Sequence, residues 1–330
     1  MPVPPPQALP APVLDAPRPF GQAAVPVLRF GWPVRPFHRQ HLVRGTLGEP
    51  RGVLGLPREP DGPSWWPALR RLNPLLPLGR RVLHTGVDIL APDGTPVYAV
   101  ESGVARMGGL GYEQSVQVGH FAFWLLAGGV PDGARVVAFR TVIGRVYPGQ
   151  HHVHLTRFAR GRVPVNPLVA GGLTPFRDVW PPRIGALCAY TPGGGRVPLA
   201  GLRGRVALVA QAYDVKAGGT HTGVYRLRWA LWPLRGRRPA VGPDTVLQLD
   251  VLPGFPVSDY LYTLDSVRHR AQTRFRYRLT ARTPEGDGMI DLARVRAGRY
   301  RLVVTAWDER GNARRRAFGV RVVAPARPPA

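Results

Sequence analysis

The chain has 330 residues, 44% of them hydrophobic, which is enough for two domains of ordinary size that each bury a core. With 38 prolines and 40 glycines, long helical patterns are scarce; this excludes a helical bundle and points to an all-β, turn-rich protein. The formal charge is +25 and Lys216 is the only lysine; one reading is attraction to a polyanion such as a cell wall, an anionic membrane or nucleic acid. The other is a general enrichment in arginine, which the scatter of the arginines along alternating strand patterns favours, and no nucleic-acid recognition motif or lysine-rich arm is present.

A single cysteine, Cys188, excludes an internal disulfide. No run approaches the roughly 18 apolar residues of a membrane span, and residues 1 to 30 lack the basic start and continuous apolar stretch of a signal peptide.

Residues 1–24 form a proline- and alanine-rich leader, expected to be disordered or polyproline-like. From residue 25 to 172 short strand-like pieces alternate with glycine and proline. The first are Val27 to Val34 and Val43-Arg44-Gly45-Thr46-Leu47-Gly48-Glu49-Pro50-Arg51. A longer irregular segment, residues 53 to 81, carries Trp65 and Trp66, suited either to a groove wall or to packing under the loop. Strand patterns then recur at Val82-Leu83-His84, Val87 to Leu90, Pro96 to Val100, Gly103 to Arg106, Ser115 to Val118, His120 to Leu126, Val142 to Val146 and His152 to Leu155. Asp93-Gly94 and Pro131-Asp132-Gly133 mark turns between them. This segment is expected to be one compact antiparallel sheet system.

Residues 173–184, with Trp180-Pro181-Pro182, read as a linker. Residues 185–325 read as a second domain, because Arg205 to Asp214, Tyr225 to Trp232 and Phe275 to Leu279 alternate apolar and polar residues as half-buried strands do. Gly298 to Asn312 is a strand running into an Asp-containing turn and resembles the closing strand of immunoglobulin-like modules, so the expected second fold is an immunoglobulin-like β-sandwich.

Two stretches carry chemistry. His152 and His154, at i and i+2 on a strand, lean from one face about 6.6 Å apart, so one imidazole can ligate a metal while the other handles a proton. His84 and Asp88 would lie about 13 Å apart on an extended strand, too far for one ion, so the chain must bend between them, and Gly86 is where it can.

Taken together, His84-Thr85-Gly86-Val87-Asp88-Ile89, Ala91-Pro92-Asp93-Gly94-Thr95-Pro96-Val97-Tyr98-Ala99-Val100, Val142-Ile143-Gly144 and His152-Val153-His154-Leu155 resemble the core of the M23 (lysostaphin/LytM-like) peptidases. Residues 43 to 51 are similar to that family's opening strand, and the likeness covers about 130 residues in order. The resemblance implies an M23-type antiparallel sheet, Zn²⁺ held by His84, Asp88 and His154, and His152 as the catalytic imidazole. It also implies a metalloendopeptidase that acts on peptide cross-links of peptidoglycan, outside the cytoplasm or in the cell envelope, with an anionic wall polymer as a further partner for the arginine-rich surface. One residue departs from the pattern: Leu125 stands where the family has a second catalytic histidine. Leucine neither donates nor accepts a proton. The rival expectation is therefore a catalytically impaired homologue that binds cell wall or regulates another wall hydrolase. His120 and His151 are poor substitutes, one by its position and the other by its facing. His38, His41, His221 and His269 read as surface or hydrogen-bonded loop residues, and Arg314-Arg315-Arg316 as a solvated strand edge.

Overall fold

The computed structural model describes residues 30–53, 73–75, 81–254, 257–269, 272–282 and 287–324. The proline-rich leader and the Trp65–Trp66 segment lie outside the described residues, as does the side chain of His269. The protein is all-β. Every pairing among its strands proper is antiparallel, and Val257–Leu261 is the one α-helix among the described residues.

The first unit is built on an eight-stranded sheet. Its order is Val43–Gly45, Val87–Leu90, His152–Phe158, Phe121–Trp124, Ser115–Val118, Gly103–Gly108 and Arg135–Val136, with Pro164–Val165 beside His152–Phe158. A three-stranded sheet of Pro96–Tyr98, Val142–Val146 and Leu126–Ala127 accompanies it. Gly94 and Gly133, expected to turn the chain, do so with φ of 74° and 80°, where a side chain is strained. Trp32, Val87, Ile89, Phe121, Phe123, Ile143, Val153 and Leu155 form the core. Because strand side chains alternate, sending Val153 and Leu155 into this core puts His152 and His154 together on the opposite face.

In the second unit two antiparallel sheets share one core. One is built on Arg183–Tyr190 and Arg205–Val215; the other has the order Val241–Gln248, Arg226–Pro233, Gly298–Trp307, Ala313–Val322. Leu208 and Tyr277 from the first sheet meet Trp229, Leu302 and Val304 from the second. Leu47 and Leu83, from the N-terminal half of the chain, are buried in this second core. Apolar patterning shows which side chains are buried, not which core receives them.

The linker is held in place. Asp178 Oδ2 accepts a hydrogen bond from Lys216 Nζ at 2.9 Å, and the same ammonium donates to Asp214 Oδ2 at 2.6 Å and Glu309 Oε2 at 2.5 Å. An ammonium has three N–H donors, and three carboxylates take them. All four side chains are buried. A planar guanidinium has neither the compactness nor the tetrahedral donors for that pocket, which explains a lone lysine in a chain that otherwise uses arginine.

Candidate metal centre

His84 directly follows the strand Arg81–Leu83, and the chain bends through Thr85 and Gly86 before resuming at Val87–Leu90. The bend was expected at Gly86, and its physical reason is close approach. A Cβ there would stand 2.0 Å from the carbonyl oxygen of Leu155 and 3.0 Å from the Cα of Thr156, so only glycine lets the two backbones meet. The return strand pairs Asp88 with His154 and His154 with Trp124, which lines up Asp88, His154 and the partly exposed Trp124 across three strands. Directly opposed residues share a face.

Three of the four anticipated side chains converge closely. His84 Nε2 lies 2.9 Å from Asp88 Oδ1 and 2.7 Å from His154 Nδ1, and His154 Nδ1 lies 3.0 Å from Asp88 Oδ1. The fourth, His152, is buried beside them with Nε2 at 3.7 Å from Asp88 Oδ1. His84, Asp88 and His154 form a group that could bind a metal ion.

Counting protons shows what this group needs. His84 Nδ1–H donates to the Thr46 carbonyl oxygen at 2.8 Å, so Nε2 carries a lone pair. Burial foremost, then the Arg51 charge, pushes the His84 pKa down to about 4, which leaves the ring neutral at pH 7. Burial alone would raise the Asp88 carboxyl, but His84 and the Arg51 guanidinium, whose Nη2 is 2.7 Å from Oδ2, outweigh it and hold Asp88 well below the usual carboxylate range. A lone pair on His84 and an anionic oxygen on Asp88 therefore face each other, with at most one proton from His154 to share. If His154 instead gives its proton from Nε2 to Thr156 Oγ1, 2.9 Å away, its Nδ1 adds a third lone pair. A cation between the three atoms removes that conflict.

The donor set, two imidazole nitrogens and a carboxylate oxygen, suits Zn²⁺. The edges of the donor triangle are 2.7 to 3.0 Å, against roughly 3.3 Å in a tetrahedral zinc site, so a few tenths of an ångström of outward movement would seat the ion. Outer partners are in place too: the Thr46 carbonyl orients His84, and the Thr156 hydroxyl orients His154.

His152 is arranged differently. Its Nδ1–H donates to the Gln150 carbonyl oxygen at 2.5 Å, so the Arg44 Nη1 found 3.3 Å from that nitrogen is a neighbouring charge and not a donor to it. His152 Nε2 then carries the lone pair and lies 3.7 Å from Asp88 Oδ1. Burial, chiefly, and Arg44 lower its pKa, with Asp88 opposing, and the neutral ring is free to accept a proton.

Leu125 turns the chain between two strands at φ 66°, and its carbonyl oxygen accepts from Tyr147 N at 2.9 Å. Neither of the other histidines weighed for the place of Leu125 lies beside His154. His120 sits on a turn, paired with Glu101 at 3.1 Å, and its carbonyl binds Phe158, four residues and about 13 Å along the strand from His154. His151 is exposed and held by Asp93 at 3.1 Å. The bland readings hold where the structure describes them: His38 is exposed, His41 Nε2 lies 3.2 Å from the Pro36 carbonyl, His221 packs against Tyr213, and Arg314 to Arg316 lie on an edge strand.

The sequence reading missed the support beneath the site. Glu49 is fully buried; its Oε1 accepts from Thr46 N at 2.9 Å, Thr46 Oγ1 at 3.1 Å and Gly223 N of the second unit at 3.1 Å, while Oε2 lies 3.3 Å from Arg51. Tyr262 Oη donates to the Gly48 carbonyl oxygen at 2.9 Å. The second unit thus braces the loop that orients His84 and charges Asp88. The Thr46-x-x-Glu49 spacing, which favours such reciprocal bonding, was the available signal.

A second buried group of Asp178, Asp214 and Asp308 also has metal-like spacing, but the Lys216 ammonium already supplies its cation. No protein-family model matches the chain, and no curated protein matches it either. Fold and site define a two-unit, all-β protein with a His84–Asp88–His154 group able to bind a metal, and among the described residues no helix is long and apolar enough to cross a membrane.

Proposed function

We propose that the chain is a zinc metalloendopeptidase-like protein of the M23 type that acts on peptide cross-links of peptidoglycan. The observation that carries this reading is the convergence of His84 Nε2, Asp88 Oδ1 and His154 Nδ1 with fewer protons than lone pairs. Beside them, His152 offers a free Nε2 on the same strand face.

Zinc in that position would supply Lewis acidity, polarising a peptide carbonyl and lowering the pKa of water toward 7. The chain's own residues do the rest. His84, Asp88 and His154 hold the ion, with Thr46 and Thr156 fixing their rings. His152 Nε2 accepts the proton of the attacking water and returns it to the leaving amine. Trp124, on the same face beside His154, gives an extended substrate an apolar wall.

Leu125 favours a second reading, a homologue that binds wall peptides and turns them over poorly. A missing acid/base group costs on the order of 10² to 10⁴ in rate. Incubation with cross-linked wall peptides separates the two. Release of new amino termini, abolished by chelator and by His152→Ala, supports the peptidase; an inactive protein in which Leu125→His creates activity supports the impaired homologue.

A further inference from the structure

We propose that the end of the second unit farthest from the metal centre docks on an anionic lipid bilayer, through an exposed leucine ringed by arginines at the tip of one hairpin. The strand Arg226–Pro233 starts beside the first unit, where Tyr225 Oη donates to Asp250, whose carbonyl accepts from Asn166 N. It runs roughly 26 Å before turning. The turn closes where Ala240 N donates to the Leu231 carbonyl oxygen at 2.7 Å. Within it Leu234 is 48% exposed and Arg235, Arg237 and Arg238 are all exposed.

Strand pairing adds to this charge. Leu234 N donates to the Arg299 carbonyl oxygen, Arg299 stands opposite Arg321, and Trp232 stands opposite Arg301. Arg299, Arg301 and Arg321, far from Arg235, Arg237 and Arg238 in sequence, join them here. The acidic side chains that pairing brings to the same end are engaged: Asp287 pairs with Arg205, and Asp291 accepts from Ala293 N. Among the described residues no ion pair reaches any of the six tip arginines.

A soluble polyanion needs only the charges. The leucine at the apex and the half-buried tryptophan below it suit a headgroup plane, where guanidinium forks take lipid phosphates while apolar side chains enter the acyl boundary. Such a contact leaves the metal centre projecting away from the membrane, and it does not depend on what that centre does.

The test is sedimentation of the full chain with vesicles of phosphatidylcholine alone and of phosphatidylcholine mixed equally with phosphatidylglycerol, and with a single-stranded oligonucleotide as a soluble phosphodiester. The protein binds the anionic vesicles and not the neutral ones. Replacing Arg235, Arg237 and Arg238 together with Gln weakens binding about 100-fold, and Leu234→Ser weakens it roughly tenfold at unchanged charge. All four side chains are exposed, so the melting temperature stays put. No vesicle binding, equal binding to both vesicles, or binding indifferent to the triple substitution overturns the proposal. So does an unaffected Leu234→Ser protein that binds the oligonucleotide as tightly as the vesicles, which would make this end a general polyanion site.

Discussion

His84 gives its Nδ1 proton to the carbonyl oxygen of Thr46 at 2.8 Å, and that carbonyl is held in a loop anchored by the buried carboxylate of Glu49. Orientation of His84 thus depends on a residue that does not touch its ring, and through Gly223 on the second unit as well. Glu49→Ala is expected to lower zinc affinity by about 10- to 100-fold, the usual cost of losing an outer partner. Competition against a chromophoric chelator measures this, and unchanged affinity would show that the loop holds itself.

Gly86 permits the contact between the strands that carry Asp88 and His154. Gly86→Ala drives a methyl group into the Leu155 carbonyl, where neither backbone has room to yield. The variant is expected to lose metal binding together with at least about 2 kcal/mol of stability, in the range of severe overpacking. Chemical denaturation reads the second effect and metal titration the first.

Lys216 donates to three buried carboxyl groups, is the one positive charge among them and ties the linker to the second unit. Lys216→Met leaves the ionised members of that cluster without their cation and is expected to cost about 3–5 kcal/mol, the range for breaking a buried pair. Lys216→Arg should not restore stability, because the pocket is shaped to an ammonium. Urea unfolding of the three proteins decides it, and rescue by arginine would contradict the geometric account.

Within that cluster burial chiefly, with Glu309 adding to it and Lys216 opposing, raises the Asp214 pKa from 3.8 to about 7. Between those values the folded chain keeps a proton that the unfolded chain has released. The contribution of Asp214 is therefore fully present below about pH 4 and is lost as pH rises toward 7. Asp214→Asn removes this slope, so stability of the wild type relative to the variant should fall from pH 4 to 7 and then level off. A flat difference would mean that Asp214 ionises normally.

Much of this was legible in the sequence because strand periodicity and turn glycines act locally. The spacing of His152 and His154 fixed their shared face, and the separation of His84 from Asp88 required the bend at Gly86. What stayed hidden depends on contacts across the chain. Leu47 and Leu83 are apolar whichever core they enter, and nothing local to Glu49 shows that Gly223, 174 positions later, is brought to it. Arg299, Arg301 and Arg321 join the local run of Arg235, Arg237 and Arg238 only through strand pairing, and Asp178 and Glu309 reach Lys216 only through the fold.

The central claim is that His84, Asp88 and His154 hold one divalent cation, and metal content tests it directly. Full-length protein prepared with zinc present and freed of loose metal should carry about one zinc per chain, lost in His84→Ala and His154→Ala and retained in His120→Ala. A chain that carries no zinc, or carries it equally well without those two histidines, contradicts the account.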